Sequence, residues 1–217
     1  MFSTNECLTT SSDAVRLWLH ESHRVYGDKF TDDKDIDAFT KMQTDIVKKS
    51  VEELDESVVF DKPNIFCHFS GGIGEPKYMP IPDWGTLTKL LQEAMLAYND
   101  IVAAMNLVLF EDAMNHVCRI NRILELPRGN ALLVGVGGSG KQSLSRLAAF
   151  ISSLEVSQIQ LKKGYGIPDL KVGQASKINV HETFNVVLAE RTCWPVSEVR
   201  NEKRWNYVLD DRCSSAK

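Results

Sequence analysis

The sequence predicts an α/β chain in which a mostly helical N-terminal half precedes an incomplete strand–loop–helix unit, and three observations carry that reading. Apolar residues recur at helical spacing through much of residues 12–124. At Asn130 the composition shifts to a short apolar run, a glycine-rich turn and a second helical stripe. Only 76 of the 217 residues follow Lys141 at the end of that turn, few for the parallel strands that such a unit needs beside it.

The elements follow in order. A first helix spans 12–26: Val15, Trp18, Leu19 and Tyr26 keep its period, Ser12 or Asp13 caps its start and Gly27 ends it. TDDKD then supplies a cap and first-turn acids to a second helix over about 33–49, whose buried stripe is Ile36, Phe39, Gln43, Ile46 and Val47. NIFCHF (64–69), set between Pro63 and Ser70-Gly71-Gly72, has the length of a strand. GGIGEPKYMPIP holds three glycines and three prolines in twelve residues and reads as loop. Asp83 caps a long helix whose inner face is Leu87, Leu91, Ala94, Met95, Tyr98, Val102 and Met105. A further helix over 110–124 carries Met114, Val117, Cys118 and Ile123 and stops at Pro127. The Met and Leu stripes read as core rather than as a cofactor or partner groove.

Composition excludes several classes. A chain 43% hydrophobic and 25% charged has the balance of a soluble globular protein, which argues against disorder and collagen-like architecture. No run approaches the roughly 20 apolar residues of a membrane span, and MFSTNECLTT lacks the pattern of a signal peptide, so an intracellular chain without a membrane partner is expected. Five cysteines without C-x-x-C spacing read as reduced structural thiols, not a disulfide framework or a zinc site. The five histidines lie apart in the sequence and read as surface or capping residues before ligands. Net charge is −4, from 25 basic and 29 acidic residues, so nucleic acid is not the implied partner.

The chemistry sits in ALLVGVGGSGKQSLSRLAAFISSL. A buried-strand pattern over 131–134 leads into a glycine-rich turn, then a helix with Leu144, Leu147, Ala148 and Ile151 on one face. Gly135, four residues, Gly140 and Lys141 give the spacing of a phosphate-binding loop. Glycines let successive backbone N–H groups turn inward to phosphate oxygens, the helix N-terminus adds partial positive charge, and the lysine ammonium reaches the β- and γ-phosphates. The bare spacing arises by chance in about 7% of chains this long, so its place between a strand and a helix is what gives it weight. After the lysine, Gln142 stands where a metal-binding Ser or Thr is usual, and the nearest hydroxyl, Ser143, lies about 100° further round the helix. Phosphate binding is expected to be retained and metal coordination altered.

Hydrolysis further needs a strand that ends in acids. FNVVLAE (184–190) has Ala189 at the metal-binding position, and NYVLDD (206–211) ends in Asp210 and Asp211 close to the last residue. Neither fulfils the pattern, and no catalytic residue is assigned.

With ALLVGVGGSGKQSLSRLAAF and LKKGYGIPDLK in view, the sequence resembles dynein heavy chains at the start of the fourth AAA+ module of the motor ring. RLWLHESHRVYGDKF, GEPKYMPI, NLVLFEDAMNHVCRINRIL and PRGNALLVGVGGSGKQSLSRLAAFISSLEV are similar to the same family, in wording nearest to axonemal chains of the outer-arm β type. The resemblance implies a helical AAA+ small subdomain and connection closing the third module over 1–105, followed by an incomplete AAA+ large subdomain opening the fourth over 106–172. Residues 173–217 diverge and are expected to be poorly ordered and not to complete the parallel sheet. Gly135, Val136, Gly137, Gly138, Ser139, Gly140, Lys141, Gln142 and Ser143 match the family's nucleotide loop, which implies ATP or ADP; whether Mg²⁺ accompanies it is left open, and no metal ligand is named. The implied partners are the other AAA+ modules of the ring, with intermediate chains, light chains and microtubules reached through the parent complex. The implied location is the cytoplasm, cytoskeleton and ciliary axoneme. The resemblance thus implies part of an ATP-driven microtubule motor for ciliary or flagellar movement, with a regulatory-type nucleotide site and neither motor activity nor hydrolysis by this chain alone. A reading from a different class is a non-enzymatic helical interaction fragment whose loop is vestigial.

Overall fold

A computed structural model gives the fold. It describes residues 7–51, 55–74, 76–102, 104–126, 129–135, 138–156, 185–190 and 207–210. The expectations for Pro127, Val136, Gly137, His181, Cys193, Asp211, Cys213 and the LKKGYGIPDLK stretch lie outside the described residues.

Helix α1 (Ser11–Val25) starts one residue earlier than the apolar pattern suggests, because Thr10 and Asp13 form a capping box. The Thr10 hydroxyl accepts from the Asp13 N–H at 3.1 Å, and the Asp13 carboxylate accepts from the Thr10 N–H at 2.9 Å. Its buried face is also different. Leu17, His20 and Glu21 point inward while Trp18 and Tyr26 are exposed. Charged and polar residues can occupy that face because they find partners there: Glu21 receives Arg122 and Tyr78, and His20 packs at a tilt against the Phe66 ring with its Nδ1 3.0 Å from the Asn64 carbonyl. A small second core of Cys7, Leu17, Phe66 and Tyr78 lies beneath.

Helix α2 (Asp33–Ser50) begins at an Asp32 cap and buries only Gln43 and Val47; Ile46, expected on the inner stripe, is exposed. A single turn α3 (Glu56–Val59) follows. Strand β1 (Ile65–Cys67) pairs antiparallel with β2 (Met79–Ile81), in the register Ile65↔Ile81 and Cys67↔Met79. The glycine- and proline-rich stretch is therefore not all loop. Pro80 is tolerated because the sheet has two strands, so each keeps an edge where a missing N–H costs nothing.

Helix α4 (Trp84–Ile101) starts at Asp83, whose carboxylate accepts from the Thr86 N–H at 2.8 Å, and it buries Leu87, Leu91, Ala94 and Tyr98. Val102 is exposed, and Met105 is buried only after the helix has ended. Asn99 makes that possible: its amide oxygen accepts from the Met105 N–H at 2.7 Å and its amide nitrogen donates to the Met105 carbonyl at 3.2 Å.

The main core joins α4 to α5 (Glu111–Leu124), strand β3 (Asn130–Gly135) and helix α6 (Lys141–Ile151). Val117, Ile120 and Ile123 of α5 pack with Ala131 and Leu133 of β3 and with Leu144, Leu147, Ala148 and Ile151 of α6, so every apolar position predicted for α6 is buried. Strand β3 lies between β4 (Asn185–Glu190) and β5 (Tyr207–Asp210), parallel to both. Both flanking strands lie in the stretch read as divergent. Each is a short apolar run of strand length, and a buried parallel strand requires pairing on both edges more than it requires a particular sequence.

The histidine reading is corrected too, since His20 and His68 are buried. Burial, with Arg24 nearby, pushes the His20 pKa well down; burial, with Arg122 nearby, brings that of His68 to about 4. The unfolded chain therefore takes up protons below about pH 6.5 that the folded chain refuses, so stability falls as pH drops from 6.5 towards 4, by up to about 1.4 kcal/mol per pH unit for each histidine. Urea unfolding should give a lower midpoint at pH 5 than at pH 7, and His68→Gln should flatten the difference. Equal midpoints at both pH values would contradict this assignment.

Candidate functional site

Strand β3 delivers the chain to Gly135, and the loop re-enters the described residues at Gly138. Gly138 and Gly140 adopt φ of 81° and 80°, in the left-handed region that side chains rarely occupy. A Cβ on Gly138 would meet nothing within 4 Å among the described residues, so this glycine is needed for its backbone conformation. At Gly140 the nearest atom would be Leu107 Cδ1 at 3.8 Å.

Gly140 is also the N-cap of α6, which has no side-chain cap and no acidic residue in its first turn. A helix start without a capping side chain or a competing carboxylate keeps its N–H groups and the positive end of its dipole available to an anion. Lys141 opens the helix; it is 8% exposed, and its Nζ donates to Ser139 Oγ at 3.0 Å, which draws the ammonium back over the loop. Ser145 Oγ donates to the Lys141 carbonyl at 2.8 Å. This bond bears on the lysine's backbone, and the loop pattern alone did not single it out.

Gly138, Ser139, Gly140 and Lys141 thus form one cradle at the head of α6, while Gln142 is exposed and Ser143 half-buried in the helix's first turn. The arrangement suits a phosphate group: backbone donors, a helix N-terminus and one ammonium.

Register adds what spacing could not. Glu190 lies opposite Gly135 and Asp210 opposite Val134, so both weak acidic segments end at the sheet edge from which the loop departs. Ala189 pairs with Val134, again at that edge. Among the described residues, no group of three or more His, Cys, Asp or Glu side chains is placed to hold a metal ion. No helix among them is long and apolar enough to cross a membrane.

Comparison with known proteins bears on both halves of the chain. Residues 105–173 match the family described as the P-loop containing dynein motor region D4, and residues 1–61 match the AAA+ lid domain. The chain is 62% identical over 176 residues to "Dynein beta chain, ciliary" of Tripneustes gratilla, which covers 81% of this chain and 4% of that protein. It is 62% identical over 177 residues to "Dynein axonemal heavy chain 17" of Homo sapiens, covering 82% of this chain and 4% of the relative. With "Dynein alpha chain, flagellar outer arm" of Chlamydomonas reinhardtii the identity is 47% over 175 residues, 79% of this chain and 4% of the relative. The chain therefore spans about 4% of the length of these relatives.

Proposed function

We propose, from the premise that this chain belongs to the axonemal dynein heavy chain family, that it carries a regulatory-type ATP- or ADP-binding loop and does not hydrolyse nucleotide by itself. The observation that carries the reading is the cradle at the head of α6: two left-handed glycines, an uncapped helix start and the Lys141 ammonium brought together. When bound, the nucleotide supplies the phosphate charge that this cradle complements. Gly138 and Gly140 shape the backbone, Lys141 balances the charge, and Ser139 positions Lys141.

In this reading residues 1–105 close the third AAA+ module and residues 106–172 open the fourth. Its parent is a microtubule-based, ATP-driven motor of cilia or flagella. The neighbouring modules of the ring, intermediate and light chains, and microtubules are its partners in the axoneme. Gln142 in place of a hydroxyl residue makes nucleotide binding depend only weakly on Mg²⁺.

Thermal unfolding with and without nucleotide tests the site. ATP or ADP at 100 times its Kd should stabilise the chain by about 2.7 kcal/mol, with or without Mg²⁺, and Lys141→Ala should lose most of that gain. Absence of any shift in the wild type would leave the helical interaction reading in its place. ATP turnover above background that disappears in Asp210→Asn would refute the non-hydrolytic assignment.

A further inference from the structure

The chain between α4 and α5 reaches the phosphate loop from outside it. Residues 104–109 form neither helix nor strand, and among the described residues their hydrogen bonds are the two that Asn99 makes to Met105. The Asn99 Oδ1 accepts from the Met105 N–H at 2.7 Å, and its Nδ2 donates to the Met105 carbonyl at 3.2 Å. One side-chain amide thus clamps both backbone groups of a buried residue. It does so from the last turn of α4, a helix fixed in the main core through Leu91, Ala94 and Tyr98.

The strap that leaves this clamp alternates as extended backbone does. Met105, Leu107 and Leu109 turn to the main core, whereas Asn106 and Val108 are exposed. Leu107 is the member that meets the loop. Its Cδ1 lies 3.8 Å from the position a Cβ on Gly140 would take, and apart from the glycine's chain neighbours no other described atom comes within 4 Å of that position. Gly140 is where the loop turns into α6, with φ of 80°.

That contact matters because a glycine loop does not hold its own shape. Glycine has more backbone freedom to lose than any other residue, so a loop with left-handed glycines at 138 and 140 needs outside contacts to keep its N–H groups aimed at one point. Affinity for an anion then falls in proportion to the fraction of molecules whose loop has the competent shape. Without the Asn99 amide the strap loses both of its described hydrogen bonds, and Leu107 loses its fixed place beside Gly140.

We propose, resting on the nucleotide reading of the cradle, that Asn99 is a positioning residue for that site: by clamping Met105 it holds Leu107 against Gly140 and preforms the loop before any phosphate arrives.

Calorimetric titration of the full 217-residue chain with inorganic triphosphate and with ATP tests this, at a temperature where urea unfolding shows each variant folded. Asn99→Ala should weaken both ligands about ten-fold, Leu107→Ala by a similar factor, and the double variant by no more than the larger single loss, because the two residues act in series. Leu107→Ala carries the same expectation where Asn99→Ala does not fold. Leu87→Val controls for lost stability alone: it lies in the same helix, about 18 Å before Asn99, and should leave both affinities within about two-fold. With a wild type that binds both ligands, an unaltered Asn99→Ala, an equal loss in Leu87→Val, or losses that multiply in the double variant would each overturn the assignment and leave the nucleotide reading standing. A loss for ATP without one for inorganic triphosphate would also overturn it, by placing the strap at the base and not at the phosphates. A wild type that binds neither ligand overturns the nucleotide reading and the role of Asn99 with it.

Discussion

Replacing Arg122 by Met should lower the unfolding free energy of this chain by about 3–5 kcal/mol, because it strands a carboxylate in the interior. Glu21 and Arg122 are 5% and 7% exposed, on helices about one hundred residues apart in sequence, and they meet through two hydrogen bonds of 2.7 and 2.8 Å. Tyr78 joins them, its hydroxyl donating to Glu21 Oε1 and accepting from Arg122 at 3.1 Å. Loss of the guanidinium leaves Glu21 with one neutral donor where it had a full counter-charge. The double variant Glu21→Met/Arg122→Met should recover most of the loss, since paired apolar residues of similar volume carry no unmet charge. Urea unfolding of both variants measures this. A loss below about 1 kcal/mol in Arg122→Met, or a double variant no more stable than the single, would show that the pair does not hold α1 to α5.

Leu147→Ala should cost about 2–5 kcal/mol. Leu147 is 0% exposed, on the core face of the same helix that begins with Lys141, and it packs in the cluster shared by α4, α5 and β3. Truncation removes the transfer energy of its methyl groups and leaves a void that α6 can close only by shifting, which would also move the cradle at its head. Gln142→Ala on the exposed side of α6 is the control and should change stability by less than about 0.5 kcal/mol. Comparable losses in the two variants, read by urea unfolding, would contradict the packing described for α6.

The glycine loop between β3 and α6 was legible because its signals are local. Strand, glycines, lysine and the apolar face of α6 follow within about twenty residues, and each is dictated by the backbone conformation or dipole it must supply. Helix starts at Asp32 and Asp83 were legible for the same reason. The inner face of α1 was not: hydrophobic periodicity ranks Trp18 above Glu21, and only a partner 101 positions away makes the carboxylate the better buried residue. Strand β2 was hidden by Pro80 and the prolines around it, and Met105 by a bond to Asn99 that replaces a continued helix.

What the sequence determined by itself is a helical first half, a glycine loop between strand and helix, and a family resemblance carried by long contiguous blocks. The first two rest on local preferences, capping and periodicity among residues a few positions apart, which the sequence displays directly. The tertiary structure alone decided which polar residues are buried and where β4 and β5 join β3. The reason is physical: burial of a charge and pairing of a parallel strand each depend on a distant partner, and no local spacing encodes where that partner will be.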